Sequence, residues 1–399
     1  MTAMTCVLTV AAAIAQSLHE TELIFPFDPL HNHSSCIVET PEGGLLVVWF
    51  HGSGERSSDD VVLQGARRKP GATAWSASFL MADTPDLPDC NPVLFVDPRG
   101  TLWLLWVTIL NNEWGSALLK YRVATDYEGD GPPRWDWQDV IHCRPVKIEE
   151  QFSALIEKAE EQLGPFLDAV DWMRSELDAM RKAPHDKLTR RLGWMTRVHP
   201  IMLSDTRMML GLYSDVFNCS MAAFTEDWGK TWTFSEPILD PLVKHLANIQ
   251  PSFVRRSDGA IVAYMRDNGI PKYVRTAVST DGGLTWGEYG WTDIRNPGSS
   301  VECIALRSGR WLLVCNDTVE GRYRLSVFLS EDEGKTWPHS RALEDFPPSS
   351  GGSASYPSMI QAADGTVHCT YSYKEGGVPG STIKHVRFNE AWILEGDTP

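Results

Sequence analysis

Three eight-residue segments share the pattern Ser/Thr-x-Asp-x-Gly-x-Thr-Trp, and their spacing limits the folds open to this chain more than any other feature. They run over Thr225–Trp232, Ser279–Trp286 and Ser330–Trp337, with aspartates 54 and 51 residues apart. A period of that length marks one supersecondary unit repeated along the chain, as in a propeller or solenoid. In each copy the Asp and Ser/Thr side chains suit the backbone groups of a tight turn, the Gly permits positive φ, and the Trp packs against the sheet below. The motif is therefore structural and receives no catalytic role.

A second repeat underlies the first: an alternating apolar run, a turn such as Asp258-Gly259 or Asp364-Gly365, and another apolar run. Its copies begin near Ser34, Asn91, His199, Gln250, Glu302 and Tyr356, at intervals of 57, 108, 51, 52 and 54 residues. The doubled interval contains Ile148 to Leu192, where Phe152, Leu155, Ile156, Ala159, Leu163, Leu167, Val170, Met173 and Leu177 recur at helical spacing. Subtracting that stretch restores the period. The chain is thus expected to form an all-β, six-bladed β-propeller over residues 18–399, with a helical insertion at 148–192 between blades 2 and 3 that Pro165 breaks into two helices. Strand directions alternate within a blade, so innermost-strand starts and second-strand ends share one face. The insertion falls on that face, as a lid or wall of a cleft or else as an oligomer contact.

A hydrophobic content of 43% with 16 Trp is ample for one large core in 399 residues. The net charge of −16 repels phosphate backbones, and no long basic run compensates, so nucleic acid is excluded as a partner. The same field makes any anion recognition depend on a few arginines held in a cleft. The eight cysteines form no C-x-x-C and no zinc-like spacing with histidine; they read as small buried hydrophobes, with one possible disulfide between Cys303 and Cys315. No metal or other cofactor is expected. Within Met1–Ser17, the apolar run Val7–Ala15 ends in Ala13-Ile14-Ala15, like a signal peptide without a basic start. This favours a secreted or periplasmic location over a cytoplasmic protein with a short N-terminal segment. No stretch is long enough to span a membrane.

On the shared face, innermost-strand starts place His33, Asn91, Arg197, His199, Gln250, Glu302 and Tyr356. Second-strand ends add His51, Asp215, Arg266, Asp267, Asn268, Asn316, Asp317, Tyr371 and Tyr373. Polar and aromatic groups converging from every blade suit a carbohydrate pocket. From these and the first-blade loop, Arg56, Asn91, His199, Gln250 and Tyr373 are taken as substrate-binding candidates. Bland alternatives exist: His33 bonded to backbone, Arg266 paired with Asp267 or Asp317, Tyr356 simply covering the channel.

With these residues in place the chain resembles the sialidase superfamily, whose propellers carry the same turn motif, the Asp box or BNR repeat. Tyr356, in Ser355-Tyr356-Pro357-Ser358-Met359, resembles the sialidase catalytic tyrosine. Arg266, in Tyr264-Met265-Arg266, is similar to a carboxylate-clamping arginine, and Arg322 resembles another, with Arg324 as its rival. Asp60, or its neighbour Asp59, occupies the loop where sialidases carry the acid/base aspartate. Two positions depart from the pattern: His33 stands where the first clamp arginine would be, and Gln250 where the glutamate that activates the tyrosine would be. An imidazole can exchange protons at neutral pH where arginine cannot, so His33 enters as an auxiliary proton carrier.

The resemblance implies a sialidase-like exo-glycosidase acting on a glycan with an acidic sugar, with Tyr356 and Asp60 catalytic and Arg266 and Arg322 binding the carboxylate. Two alternatives stand beside it: a polysaccharide lyase acting at a uronate-containing linkage, and a glycan-binding propeller without turnover.

Overall fold

A computed structural model of the chain describes residues 16–167, 171–240 and 248–396. The expected leader lies almost wholly outside the described residues. Six four-stranded antiparallel sheets surround one axis. Their innermost strands are His31–Glu39, Asp89–Val96, Ile201–Met202, Asn248–Arg255, Val301–Ala305 and Ser353–Gln361. These strands and their neighbours are buried on both faces, which is why they read as continuous apolar runs such as Leu102–Ile109. Among the described residues, no helix is long and apolar enough to cross a membrane.

The ring closes by borrowing. The outer strand of the sixth blade is His19–Leu23, which pairs with Thr382–Phe388 from His19↔Phe388 to Leu23↔Lys384. Closure leaves no bare edge inside the ring. Glu22 anchors it: its Oε1 accepts from His385 Nδ1 at 2.8 Å and from Arg68 Nη1 of the first blade at 2.6 Å.

The three Asp boxes bond alike. In the first, Asp227 Oδ1 accepts from Thr231 N at 2.8 Å and Oδ2 from Thr231 Oγ1 at 2.7 Å, while Thr225 Oγ1 accepts from Gly229 N at 2.8 Å. Gly229 has φ +86°, and a Cβ there would lie 2.9 Å from Trp103 of the preceding blade. Tyr121 of that blade donates to the Gly229 carbonyl at 3.1 Å. The box therefore locks a turn and also seats it on the neighbouring sheet.

The long interval between blades 2 and 3 holds three helices: α1 (Ile148–Leu167), α2 (Asp171–Lys182) and α3 (Lys187–Arg191). The expected break does not fall at Pro165: among the described residues α1 runs through Gly164 and Pro165 to Leu167. The cysteines are the small buried groups they were read as: all seven described are free and buried, and the Cys303–Cys315 alternative does not form, since Cys303 pairs in register with Leu313 and Cys315 with Val301.

Behind the closing strand, His368 and His385 stack with ring centroids 5.1 Å apart, and His368 Nδ1 lies 2.9 Å from His385 Nε2. Burial and the neighbouring His385 lower the His368 pKa to about 3. Burial also lowers that of His385, against the pull of Glu22. Both rings are thus neutral when folded, and unfolding below the ordinary histidine pKa of about 6.5 takes up protons. Their contribution to stability is complete above about pH 6.5 and is lost as pH falls toward about 3. Thermal melting followed from pH 7.5 to 4 should show this loss, and His368→Asn should flatten that part of the curve.

Candidate active site

Four of the six innermost strands open with the same backbone device. Their pairing with the second strand shifts register between His33 and Cys36, Cys90 and Val93, Ile249 and Ser252, and Ser355 and Ser358. At each bulge one non-glycine residue is left-handed: Ser34 (φ 58°), Asn91 (51°), Gln250 (58°) and Tyr356 (56°). Three of these precede prolines, Pro92, Pro251 and Pro357, which cannot donate to a ladder and so suit a bulge. Left-handed φ at a non-glycine residue costs on the order of 1–3 kcal/mol and concentrates at functional sites. Here the bulges lie at one mouth of the central channel.

That mouth is a pocket of about 460 Å³ lined by His33, Glu55, Asn91, Trp114, Tyr213, Asp215, Asn218, Gln250, Arg266, Asn268, Arg322 and Tyr356. Tyr356 is its centre. Arg266 Nη1 donates to Tyr356 Oη at 3.1 Å, and Gln250 Nε2 donates to the same oxygen at 3.4 Å. The guanidinium carbons of Arg197 and Arg322 lie 4.9 and 5.1 Å from the Tyr356 ring centroid, and the His33 ring centroid lies 4.2 Å from it. Burial alone would push the phenol up, but Arg266 and Arg322, helped by Gln250 and Arg197, outweigh it and hold the pKa below the ordinary value.

Arg266 is oriented by Asn268, whose Oδ1 accepts from its Nε at 2.7 Å. It pairs with neither Asp267 nor Asp317: Asp267 accepts from Trp291 and Gly269, and Asp317 accepts from Arg324 and Ser326. That ion pair also decides between the two rival arginines. Arg324 is bound to Asp317 and Asp345, whereas the Arg322 guanidinium lines the pocket without a hydrogen bond among the described residues. Arg197 is only 1% exposed and lies under the Tyr356 ring, its Nη2 donating to Pro357 O at 3.0 Å and its Nη1 to Ser35 O at 3.5 Å. It ties together the bulges of the first and sixth blades.

His33 lines the pocket, but burial, then His31, Arg322 and Arg197, lower its pKa well below the ordinary value. It is a neutral wall at physiological pH, neither a third clamp charge nor a proton donor. Asn91 reaches Tyr213, its Nδ2 donating to Tyr213 Oη at 3.1 Å.

Other expected residues lie elsewhere. Asp60 is exposed and does not line the pocket; its carboxylate accepts from Ser53 N at 3.1 Å and Ser53 Oγ at 2.8 Å, closing its own loop. Asp59 accepts from Asn112 Nδ2 instead. Arg56 sits at the rim, 5.3 Å from the Trp114 ring and 3.8 Å from Glu113. Tyr373 is buried between Phe27 and Phe346, whose ring centroids are 6.0 and 5.7 Å away.

His199 belongs to the channel beneath, where a cavity of about 570 Å³ opens toward the opposite face. Its Nδ1 lies 2.7 Å from Glu302 Oε1, and Glu302 Oε2 accepts from Met359 N at 2.6 Å. Burial opposes charge on His199, but Cys36 and Glu302 more than offset this and raise its pKa well above the ordinary value. The fifth blade pairs without a register shift, and at neither His199 nor Glu302 is the backbone left-handed. Without the bulge these side chains are not aimed into the mouth.

Glu55, Trp114, Tyr213 and Asn218 line the pocket without having been placed on this face from the sequence, and Asp215 was placed there without a role. Glu55 Oε1 lies 3.3 Å from His31 Nε2; burial raises its pKa, but His31 and Arg56 bring it below the usual carboxylate value. Asp215 is the contrary case, its pKa raised by burial despite Arg266 and Arg56. The loop that carries Asp215 and Asn218 rests on the insertion. Phe217 stacks on Trp194 at 5.8 Å and meets the edge of Phe152 from α1 at 5.1 Å. No described residue of α1–α3 lines the pocket, so the insertion buttresses a wall.

Residues 43–151 and 173–369 match the BNR repeat-like domain. The chain belongs to that family. A BNR-repeat propeller of sialidase type accounts for both the Asp boxes and the six-sheet ring. A curated sialidase from Micromonospora viridifaciens is 28% identical over 184 residues, which is 44% of this chain and 26% of that protein. The match thus spans about a quarter of the relative's length. Among solved structures, the intramolecular trans-sialidase from Ruminococcus gnavus superposes with a TM-score of 0.66 at 13% identity, over 92% of this chain and 96% of that one. A protein of unknown function from Dyadobacter fermentans gives 0.66 at 16% identity, over 93% and 98%. At such identities the structural likeness is one of fold.

The buttress carries a prediction. Phe217 is 2% exposed, and Phe217→Ala should cost about 3–5 kcal/mol, seen as a lower denaturation midpoint with an unchanged denaturant slope.

Proposed function

We propose that this BNR-repeat propeller is a sialidase-like exo-glycosidase that removes a terminal, carboxylate-bearing sugar from a glycan. The observation that carries this reading is the Tyr356 oxygen, bonded by Arg266 with Arg322 and Arg197 close by, at the floor of a pocket of about 460 Å³. The unbonded Arg322 and the remaining donors of Arg266 supply a clamp for the substrate carboxylate, which sets the sugar above Tyr356. The phenolate attacks the anomeric carbon as the bond to the leaving oxygen breaks. Asp215, whose carboxyl pKa is raised by burial, gives its proton to that oxygen. As a carboxylate it then takes a proton from the water that hydrolyses the glycosyl-tyrosine bond.

Tyr356→Phe should lower kcat/KM on acidic glycans by roughly 10³-fold or more. Arg266→Ala should lower it by about 10- to 150-fold, the equivalent of losing one charge-assisted hydrogen bond. Near-full activity in either variant refutes the assignment. Asp215→Asn should lose about 10²- to 10⁴-fold on natural glycans, yet remain near wild type on an aryl glycoside whose leaving group needs no proton. Equal loss on both substrates excludes Asp215 as the acid.

The lyase reading is favoured by one observation: an amide, not a carboxylate, is bonded to Tyr356. There the arginines would neutralise a uronate, Tyr356 would remove the adjacent C–H proton, and the product would carry an unsaturated uronate. Ultraviolet absorbance of the product separates the two. Saturable glycan binding with no product at all would instead support a binding propeller.

A further inference from the structure

We infer that Gln250 is a positioning residue that divides the two pocket tyrosines by charge, so that Tyr356 works as an anion and Tyr213 as a hydrogen-bond donor to substrate. This rests on the reading of Tyr356 as the reactive group and adds what sets its state. Gln250 Nε2 donates to Tyr213 Oη at 3.3 Å and to Tyr356 Oη at 3.4 Å. Each oxygen has one further donor: Asn91 Nδ2 at 3.1 Å on Tyr213, Arg266 Nη1 at 3.1 Å on Tyr356.

The two hydroxyls differ in what surrounds them. Tyr356 meets only donors and stands beside three guanidiniums, with no acceptor in hydrogen-bond reach among the described residues to take a phenolic proton. Tyr213 has both acceptor positions filled by neutral amides, which leaves its own O–H directed at the pocket it lines. Burial, with Asp215 and Tyr356 nearby, raises its pKa well above the ordinary phenol value. Environments that push two like groups apart mark acid and base roles.

The amide at position 250 is what allows this arrangement. Its N–H side serves both oxygens, at the expense of Oε1, which is buried without a partner. A carboxylate there can only accept, so both phenols would have to donate to it, and its charge would oppose a phenolate. In this pocket a glutamate would therefore oppose the resting phenolate form of Tyr356.

The decisive variant is Gln250→Glu in the full chain, checked for an unchanged fold by circular dichroism. Tyr356 is titrated by the near-ultraviolet phenolate band, each protein against its own Tyr356→Phe derivative, with no substrate present. The Tyr356 transition is expected to move up by one pH unit or more, and the acid limb of kcat/KM to move with it, a loss of about tenfold or more at pH 7. Tyr213→Phe should leave the spectral transition of Tyr356 within a few tenths of a unit while kcat/KM falls at every pH. If Gln250→Glu leaves the transition in place or lowers it, or raises neutral-pH activity, the inference is overturned. If the transition moves as expected and no acidic glycan is cleaved even by the wild type, the charge division stands and the enzymatic reading fails.

Discussion

Ring closure is the constraint on which everything else in this molecule depends. Blades contributed by distant parts of the chain face one axis only because the strand His19–Leu23 completes the sheet that ends with Thr382–Phe388. Each blade is wedged against the next by large buried side chains, Trp49, Trp103, Trp106 and Trp311 among them. The Asp-box turns add a second latch by seating on the preceding sheet. A channel mouth held this way is rigid, and rigidity lets a few side chains be held in fixed positions there.

The chemistry of the mouth comes from a local reversal of the global charge. The chain carries −16 overall, yet three guanidiniums meet around one phenol. Salt screens the distant acidic surface within about 10 Å, whereas the pocket groups are close and partly desolvated. Arg197 is the least exposed of the three. Its bonds to the carbonyls of Ser35 and Pro357 tie a buried cation to the very bulges that turn the mouth residues inward. Structure and electrostatics are therefore one feature here.

Much of this was legible in the sequence. The Asp-box period and the strand–turn–strand repeat specified six blades, because each motif encodes its own turn chemistry within eight residues. The placement of Tyr356, Arg266, Gln250 and Asn91 at one mouth followed from strand direction, and that of Arg322 from the family resemblance. His199 and Tyr373 did not follow. A side chain near a strand end changes face with a single-residue register shift, and the shifts in four blades, absent from the fifth, were not visible in apolar patterning. The dipeptides Asn91-Pro92, Gln250-Pro251 and Tyr356-Pro357 were the available signal. Asp60 was misplaced for another reason: a loop carboxylate goes to its nearest donor, here Ser53, and loop length does not disclose that.

By itself, then, the sequence determined the number of blades, the turns that join them, the interruption by helices and part of the set of residues at one mouth. These depend on interactions between near neighbours in the chain, which a local pattern can encode. Only the tertiary structure decided which arginine is left unbonded, which tyrosine is surrounded by positive charge, and which carboxyl has its pKa raised by burial. Those properties are sums over groups from different blades, and no stretch of sequence contains them.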